Sequence, residues 1–143
     1  MAIVISLCRC PDGYRIGKLE PHHAELVATR WPYRTSFNKV SWFQKLIENF
    51  LTVAAFCDDE PVAWILQYSH GGIGNLYTME SHRRRGLGLA VTAAMCQLVL
   101  EKCPEILLWA MIVPENTVSK KMFESLGFVY SEHQTYFFNI ERS

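Results

Sequence analysis

Asn75-Leu76-Tyr77-Thr78-Met79, then Glu80-Ser81-His82, then Arg83-Arg84-Arg85-Gly86-Leu87-Gly88-Leu89: a short β-prone run, three polar residues and a basic, glycine-bearing turn open the apolar segment Leu87 to Lys102. The first five residues read as a strand and the apolar segment as a helix, so the basic turn carries the chain from one to the other. A strand entering a helix through Arg83-x-x-Gly86-x-Gly88 presents several backbone N–H groups at the positive end of the helix dipole, which is the physical recipe for a pyrophosphate cradle. Gly86 and Gly88 let the backbone approach closely. The side chains of Arg83, Arg84 and Arg85 add cationic donors whose planar forks suit phosphate. The plainer reading of the same residues is a solvated basic turn with glycines that merely permit tight packing.

Moving outward, Tyr14 to Leu19 alternates as a strand, and Pro21 opens a helix holding Ala24, Leu26 and Val27 that Pro32 stops. Ser36 to Phe50 carries Phe43, Leu46, Ile47 and Phe50 at helical spacing, a second amphipathic helix. The period then changes to two. Leu51 to Cys57 and Val62 to Tyr68 read as a hairpin around Asp58-Asp59-Glu60-Pro61, and Gly71 to Gly74 makes the next turn. Beyond the apolar helix, Ile106 to Ile112 reads as a central strand and Pro114-Glu115-Asn116 opens a helix with Val118, Met122 and Leu126 as its buried stripe. Gly127 stops it, and Phe128-Val129-Tyr130 and Thr135 to Ile140 supply the last two strands. The expected architecture is α/β, a mixed and mostly antiparallel twisted sheet with about four helices, built as one domain over residues 1–143.

Half of the 143 residues are hydrophobic and 20% are charged, enough apolar surface for a core without a disulfide or metal staple. Fourteen Lys and Arg balance fourteen Asp and Glu, so no global field draws the chain to nucleic acid or an anionic membrane, and an anion site has to be local. Cys8, Cys10, Cys57, Cys96 and Cys103 show no paired metal-binding spacing, so reduced thiols and no metal are expected. The apolar opening Met1 to Leu7 lacks a basic lead and a small-x-small site, against a secretory signal, and no apolar stretch reaches bilayer length. The expected location is intracellular, cytoplasmic or mitochondrial.

A second motif lies downstream. Asn116, Ser119, Phe123, Leu126, Gly127 and Phe128 stand at the spacing of Asn-x-x-Ala-x-x-x-Tyr-x-x-x-Gly-Phe. With Arg83-x-x-Gly86-x-Gly88 and the order of elements, the chain resembles the GNAT superfamily of acyl-CoA-dependent N-acyltransferases over nearly its whole length. Within it, His23-Ala24-Glu25-Leu26-Val27, Trp31, Pro61-Val62-Ala63-Trp64 and Gly74 to Gly88 are similar to the carboxy-terminal half of glycine N-acyltransferases. Those relatives are roughly twice as long and carry a further amino-terminal half.

The resemblance implies a slot between the strand around Thr78, Met79 and Glu80 and the strand Ile106 to Ile112, splayed to admit the pantetheine arm of acyl-CoA or acetyl-CoA. It implies cosubstrate contacts from Thr78, Met79, Glu80, Arg83, Arg84, Arg85, Gly86, Leu87, Gly88, Leu89, Asn116, Ser119 and Phe123, with an oxyanion donor among the backbone N–H groups of Thr78 to Glu80. Asn116 reads equally as a helix cap, and Ser119 as a small packing residue. Glycine acyltransferases place a glutamate two residues before the motif arginine; here that residue is Ser81, so Glu80, His82 or His70 are the candidate bases, Glu80 and His82 foremost. On a strand, the one-residue offset turns Glu80 to the opposite face. The tyrosine that protonates the leaving thiolate corresponds to Phe123, leaving Tyr77, Tyr130 or water. The implied acceptor is a small-molecule amine, glycine or another amino acid, and a free carboxylate there calls for a donor such as Arg30, Arg34, Lys39 or His70. The alternatives are a non-catalytic acyl-CoA sensor and a protein-amine acetyltransferase.

Overall fold

The computed structural model describes residues 9–30, 39–105, 107–112, 115–131 and 135–138. In chain order these form β1 (Arg15–Gly17), a 3-10 turn (Pro21–His23) leading into α1 (Ala24–Arg30), α2 (Lys39–Asn49), β2 (Thr52–Cys57), β3 (Glu60–Gln67) and β4 (Ile73–Thr78). A second 3-10 turn (Glu80–His82) precedes α3 (Leu87–Lys102), followed by β5 (Trp109–Met111), α4 (Thr117–Ser125), β6 (Phe128–Ser131) and β7 (Thr135–Phe138). The strands make one sheet in the order β1-β2-β3-β4-β5-β7-β6. Every neighbouring pair is antiparallel except β4 and β5, which run parallel.

Period-two alternation sorts the central strands onto two cores. Val53, Ala55, Ala63 and Ile65 face α3, with Val91, Met95, Cys96 and Val99 of that helix against them. Ala54, Phe56, Trp64 and Leu66 face the other way, onto Val27 of α1 and Phe43, Leu46 and Ile47 of α2. A strand buried on both faces needs an unbroken apolar run, which is why β2 and β3 read as they do. α3 buries far more than a stripe, since eight of its residues from Leu87 to Val99 are inaccessible. Among the described residues no helix is long and apolar enough to cross a membrane, and Cys10, Cys57 and Cys103 are free thiols.

Several boundaries depart from the sequence pattern. β1 is only three residues long because the chain leaves the sheet to let the Leu19 N–H bond Thr52 Oγ1 at 2.9 Å. β4 starts at Ile73, with Gly74 inside the strand, where a Cβ would fall 2.8 Å from the Tyr68 ring. β5 spans Trp109–Met111, shorter than the apolar run suggested. Phe50 follows α2 and is exposed. The stripe of α4 holds at Leu126, which is buried, and at Met122, which packs on the core, but Val118 is 79% exposed and Phe123 is buried in addition. The cause is the turn at Gly127 (φ 103), after which Phe128 returns to meet the Phe123 ring edge to face at 5.0 Å. Pro32, Ser36, Ile106, Pro114 and Cys8 lie outside the described residues.

Candidate functional site

The site begins where β4 loses a neighbour. β4 and β5 share one registered pair, Ile73 with Ala110. Past it, the β5-facing edge of β4 has no ladder partner among the described residues, and the expected parallel slot opens there. β4 is also bulged: Trp64 pairs with Tyr77 and Leu66 with Gly74, so Asn75 and Leu76 stand opposite Ile65 alone. Asn75 takes the strain with φ 57. Leu76 packs on the α3 side and Tyr77 on the α1–α2 side, where its ring stacks on Trp64 at 5.4 Å.

At the exit, the Met79 N–H still bonds the Val62 carbonyl of β3 at 2.7 Å, and residues Glu80–His82 coil into a 3-10 turn. The strand alternation expected for Glu80 therefore does not apply: its carboxylate lies on an exposed turn. Arg84 (φ 64) and Gly86 (φ 79) both adopt left-handed conformations, the second as the residue before α3. No backbone N–H from Arg84 to Leu89 meets an acceptor among the described residues; the first N–H to do so is that of Ala90, on the Gly86 carbonyl at 3.1 Å. Alternating backbone handedness and orphan N–H groups at the positive end of a helix make an anion nest. A Cβ on Gly86 would meet nothing within 4 Å, so that face is open, whereas one on Gly88 would come 3.8 Å from Thr78 Oγ1.

The three arginines are not equivalent. Arg83 folds back on β4, its Nε donating to the Thr78 carbonyl at 2.8 Å and its guanidinium lying 5.4 Å from the centre of the Tyr77 ring. Arg84 is exposed. Arg85 donates from Nη1 to the Tyr14 hydroxyl at 3.0 Å, and the same hydroxyl lies 2.9 Å from His82 Nδ1. None of the three joins an ion pair among the described residues, where the salt bridge present is Arg15 to Asp59. Tyr14 is thus a site residue that the local pattern did not reveal, since its partners stand 68 and 71 residues away. It is held from behind: its N–H bonds the Pro11 carbonyl at 3.3 Å and its carbonyl accepts from the Cys10 thiol at 3.3 Å. Burial pushes that thiol's pKa up, keeping it a donor.

Other candidates scatter. Asn116 caps α4, its Oδ1 accepting from the Ser119 N–H at 3.1 Å. The Phe123 ring is turned into the core at 2% exposure. His70 sits at the closed end of the slot, 4.8 Å from Trp109 between ring centres, with Nδ1 accepting from the Gly72 N–H. Tyr130 is exposed on β6, two strands from the slot. Arg30 ends α1 and Lys39 starts α2, while Arg34 lies outside the described residues. Among the described residues no group of His, Cys, Asp and Glu could hold a metal ion. A cavity of about 450 Å³ lined by Glu48, Phe50, Gln67 and Cys103 lies at the far end of α3 from the nest.

The family model described as FR47-like protein matches residues 57–138, which hold the bulge, the nest and both motifs. A Drosophila protein solved in a structural genomics programme is 25% identical with a TM-score of 0.82; the match covers 100% of this chain, which spans 50% of that one. A GNAT-family acetyltransferase from Streptococcus pneumoniae is 17% identical with a TM-score of 0.61, over 87% of this chain and 95% of that one. AAC(6')-Iy in complex with the bisubstrate analogue CoA-S-monomethyl-acetylneamine is 21% identical with a TM-score of 0.64, over 84% and 93%. No curated protein matches the chain.

Proposed function

The chain belongs to the FR47-like family, with the GNAT fold, and from that premise we propose that it is an acyl-CoA-dependent N-acyltransferase acting on the amine of a small acceptor, an amino acid with glycine first. The observation that carries the reading is the run of N–H groups from Arg84 to Leu89, orphaned among the described residues, beside three arginines with no acidic partner there. A diphosphate fits that environment: the N–H groups receive its oxygens, Arg84 and Arg85 neutralise its charge, and the missing side chain of Gly86 leaves it room. AAC(6')-Iy was solved with a coenzyme A conjugate and shares this fold, which supports acyl-CoA or acetyl-CoA as cosubstrate. The reading treats residues 1–143 as one acyltransferase domain.

The unpaired edge of β4 past Ile73 would hold the arm, since buried amides need partners and an open strand edge supplies them. One group on it is already taken, the Thr78 carbonyl by Arg83, while the Met79 N–H points the other way, to the Val62 carbonyl of β3. An α-amino group with a pKa of about 8 needs only about 1.4 kcal/mol to lose its proton at pH 7, so an exposed Glu80, or His82 through Nε2 and a water, is base enough. A thiol of pKa about 8.5 leaves without an obligatory acid, consistent with phenylalanine at position 123.

The glycine acceptor and an acyl group larger than acetyl rest on likeness to glycine N-acyltransferases. Incubation with a panel of acyl-CoAs and amines, followed by thiol release and product mass, tests both. Acylglycine formation is expected. Activity on peptide amines and never on amino acids would overturn the acceptor. Binding of acyl-CoA with no thiol release for any amine would favour the sensor reading, which the buried Phe123 supports.

A further inference from the structure

The bulge in β4 leaves one polar group unaccounted for. Asn75 Nδ2 is shielded from solvent and has no hydrogen-bond partner among the described residues, and its residue also holds φ 57 inside a strand. A buried, unpaired amide and a left-handed backbone are both unfavourable, and together they persist only where the surroundings enforce them. The position explains what enforces them. Asn75 stands two residues past Ile73, the last point among the described residues at which β4 pairs with β5, and so where the two strands begin to part. Its neighbours are committed elsewhere, Leu76 to the α3 core and Tyr77 to the stack on Trp64.

We propose that Asn75 donates a hydrogen bond through Nδ2 to a carbonyl oxygen of the acyl-pantetheine arm, a role that rests on the acyl-CoA reading above. The donor has no partner among the described residues to give up, so no competing protein bond has to be broken when that oxygen binds. If the oxygen is that of the thioester, the bond strengthens during transfer. As the amine nitrogen bonds the thioester carbon, the carbonyl π pair moves onto oxygen; it returns when the C–S bond breaks and the thiolate takes the proton that the ammonium gives up. The opposing view is that asparagine is present only because it tolerates a left-handed φ at a bulge.

Two substitutions separate these views. Asn75→Gly keeps the backbone conformation and removes the amide. Asn75→Asp keeps the outline and the left-handed tolerance but offers an acceptor in place of the donor. On the full chain, Kd is measured by calorimetry for coenzyme A and for acetyl-CoA and benzoyl-CoA, with turnover on glycine and the thermal midpoint alongside. Asn75→Gly is expected to keep or raise the ligand-free midpoint, because it deletes an unpaired donor, while acyl-CoA binding or kcat/KM falls about tenfold to a hundredfold in both variants. A weaker Kd for coenzyme A itself places the contact on an arm amide. An unchanged coenzyme A Kd with weaker acyl-CoA binding or lower kcat places it on the thioester. Folded variants that bind and turn over like the parent overturn the role of Asn75 and leave the acyl-CoA reading standing. A parent protein that binds no coenzyme A overturns both.

Discussion

Two helices start near the slot, and they treat their first N–H groups in opposite ways. α4 closes its own end: Asn116 accepts from the Ser119 N–H, and the acceptor is built into the sequence. α3 has no side-chain cap, starts from a left-handed glycine and leaves every N–H from Arg84 to Leu89 without an acceptor among the described residues. A cap is worth about 1 kcal/mol, so its absence from the more deeply buried helix is a cost in the free protein. The cost is sustained by packing, because α3 carries eight buried residues against one in α4. Helix ends that finish their own hydrogen bonding serve stability, and ends that do not are available to a ligand.

Three substitutions put that contrast at risk. The largest effect on coenzyme A binding is expected from Gly86→Val, which places a branched side chain in the open face of the nest and should weaken binding on the order of a hundredfold. No protein atom lies within 4 Å of the new Cβ, so the loss of stability should be that of the left-handed backbone alone, about 1–2 kcal/mol. Calorimetric affinity beside a urea unfolding curve checks both, and retained affinity in a folded variant would remove the nest. Tyr14→Phe comes next. It keeps the ring packed edge-on against His82, 5.7 Å between centres, but takes the hydroxyl from Arg85; coenzyme A binding should weaken about threefold to tenfold, with the His82 ring nitrogen shifts moving in the NMR spectrum. The smallest effect on the ligand belongs to Asn116→Ala, which should cost about 1 kcal/mol in unfolding free energy and leave the coenzyme A Kd within about twofold. A larger change in that Kd would return Asn116 to the binding site.

The order of strands and helices was readable because β2 and β3 are flanked by turn residues and carry apolar side chains on both faces, and because Gly86, Gly88 and Gly127 sit where the chain has to change direction. The arginine–glycine turn was readable for the same local reason. What failed to show had one cause, dependence on contacts made elsewhere. Helical spacing offers Val118, Met122 and Leu126 as a stripe; Leu126 is buried and Met122 packs on the core, but Val118 is exposed and the return of Phe128 brings Phe123 inward instead. The resemblance puts Glu80 on a strand, yet the Met79 N–H is the last to bond β3 there before the 3-10 turn begins. Tyr14 looks like the start of an edge strand and becomes a site residue through partners far along the chain. Asn75 gave a turn-forming residue type inside a strand, a signal for the bulge that passes unnoticed without the register of β3.

The single pairing of Ile73 with Ala110 has a mechanical meaning as well. It divides the sheet along a seam, with β1 to β4 on one side and β5, β7 and β6 on the other, joined among the described residues by that one rung and by side chains meeting beneath α3. A molecule lying along the seam with polar groups reaching both lips would act as a rivet. By linkage, whatever it gains from having the lips correctly spaced it returns as resistance of the smaller side to peeling away. In such a sheet the occupant of the gap is also part of what holds the two sides together.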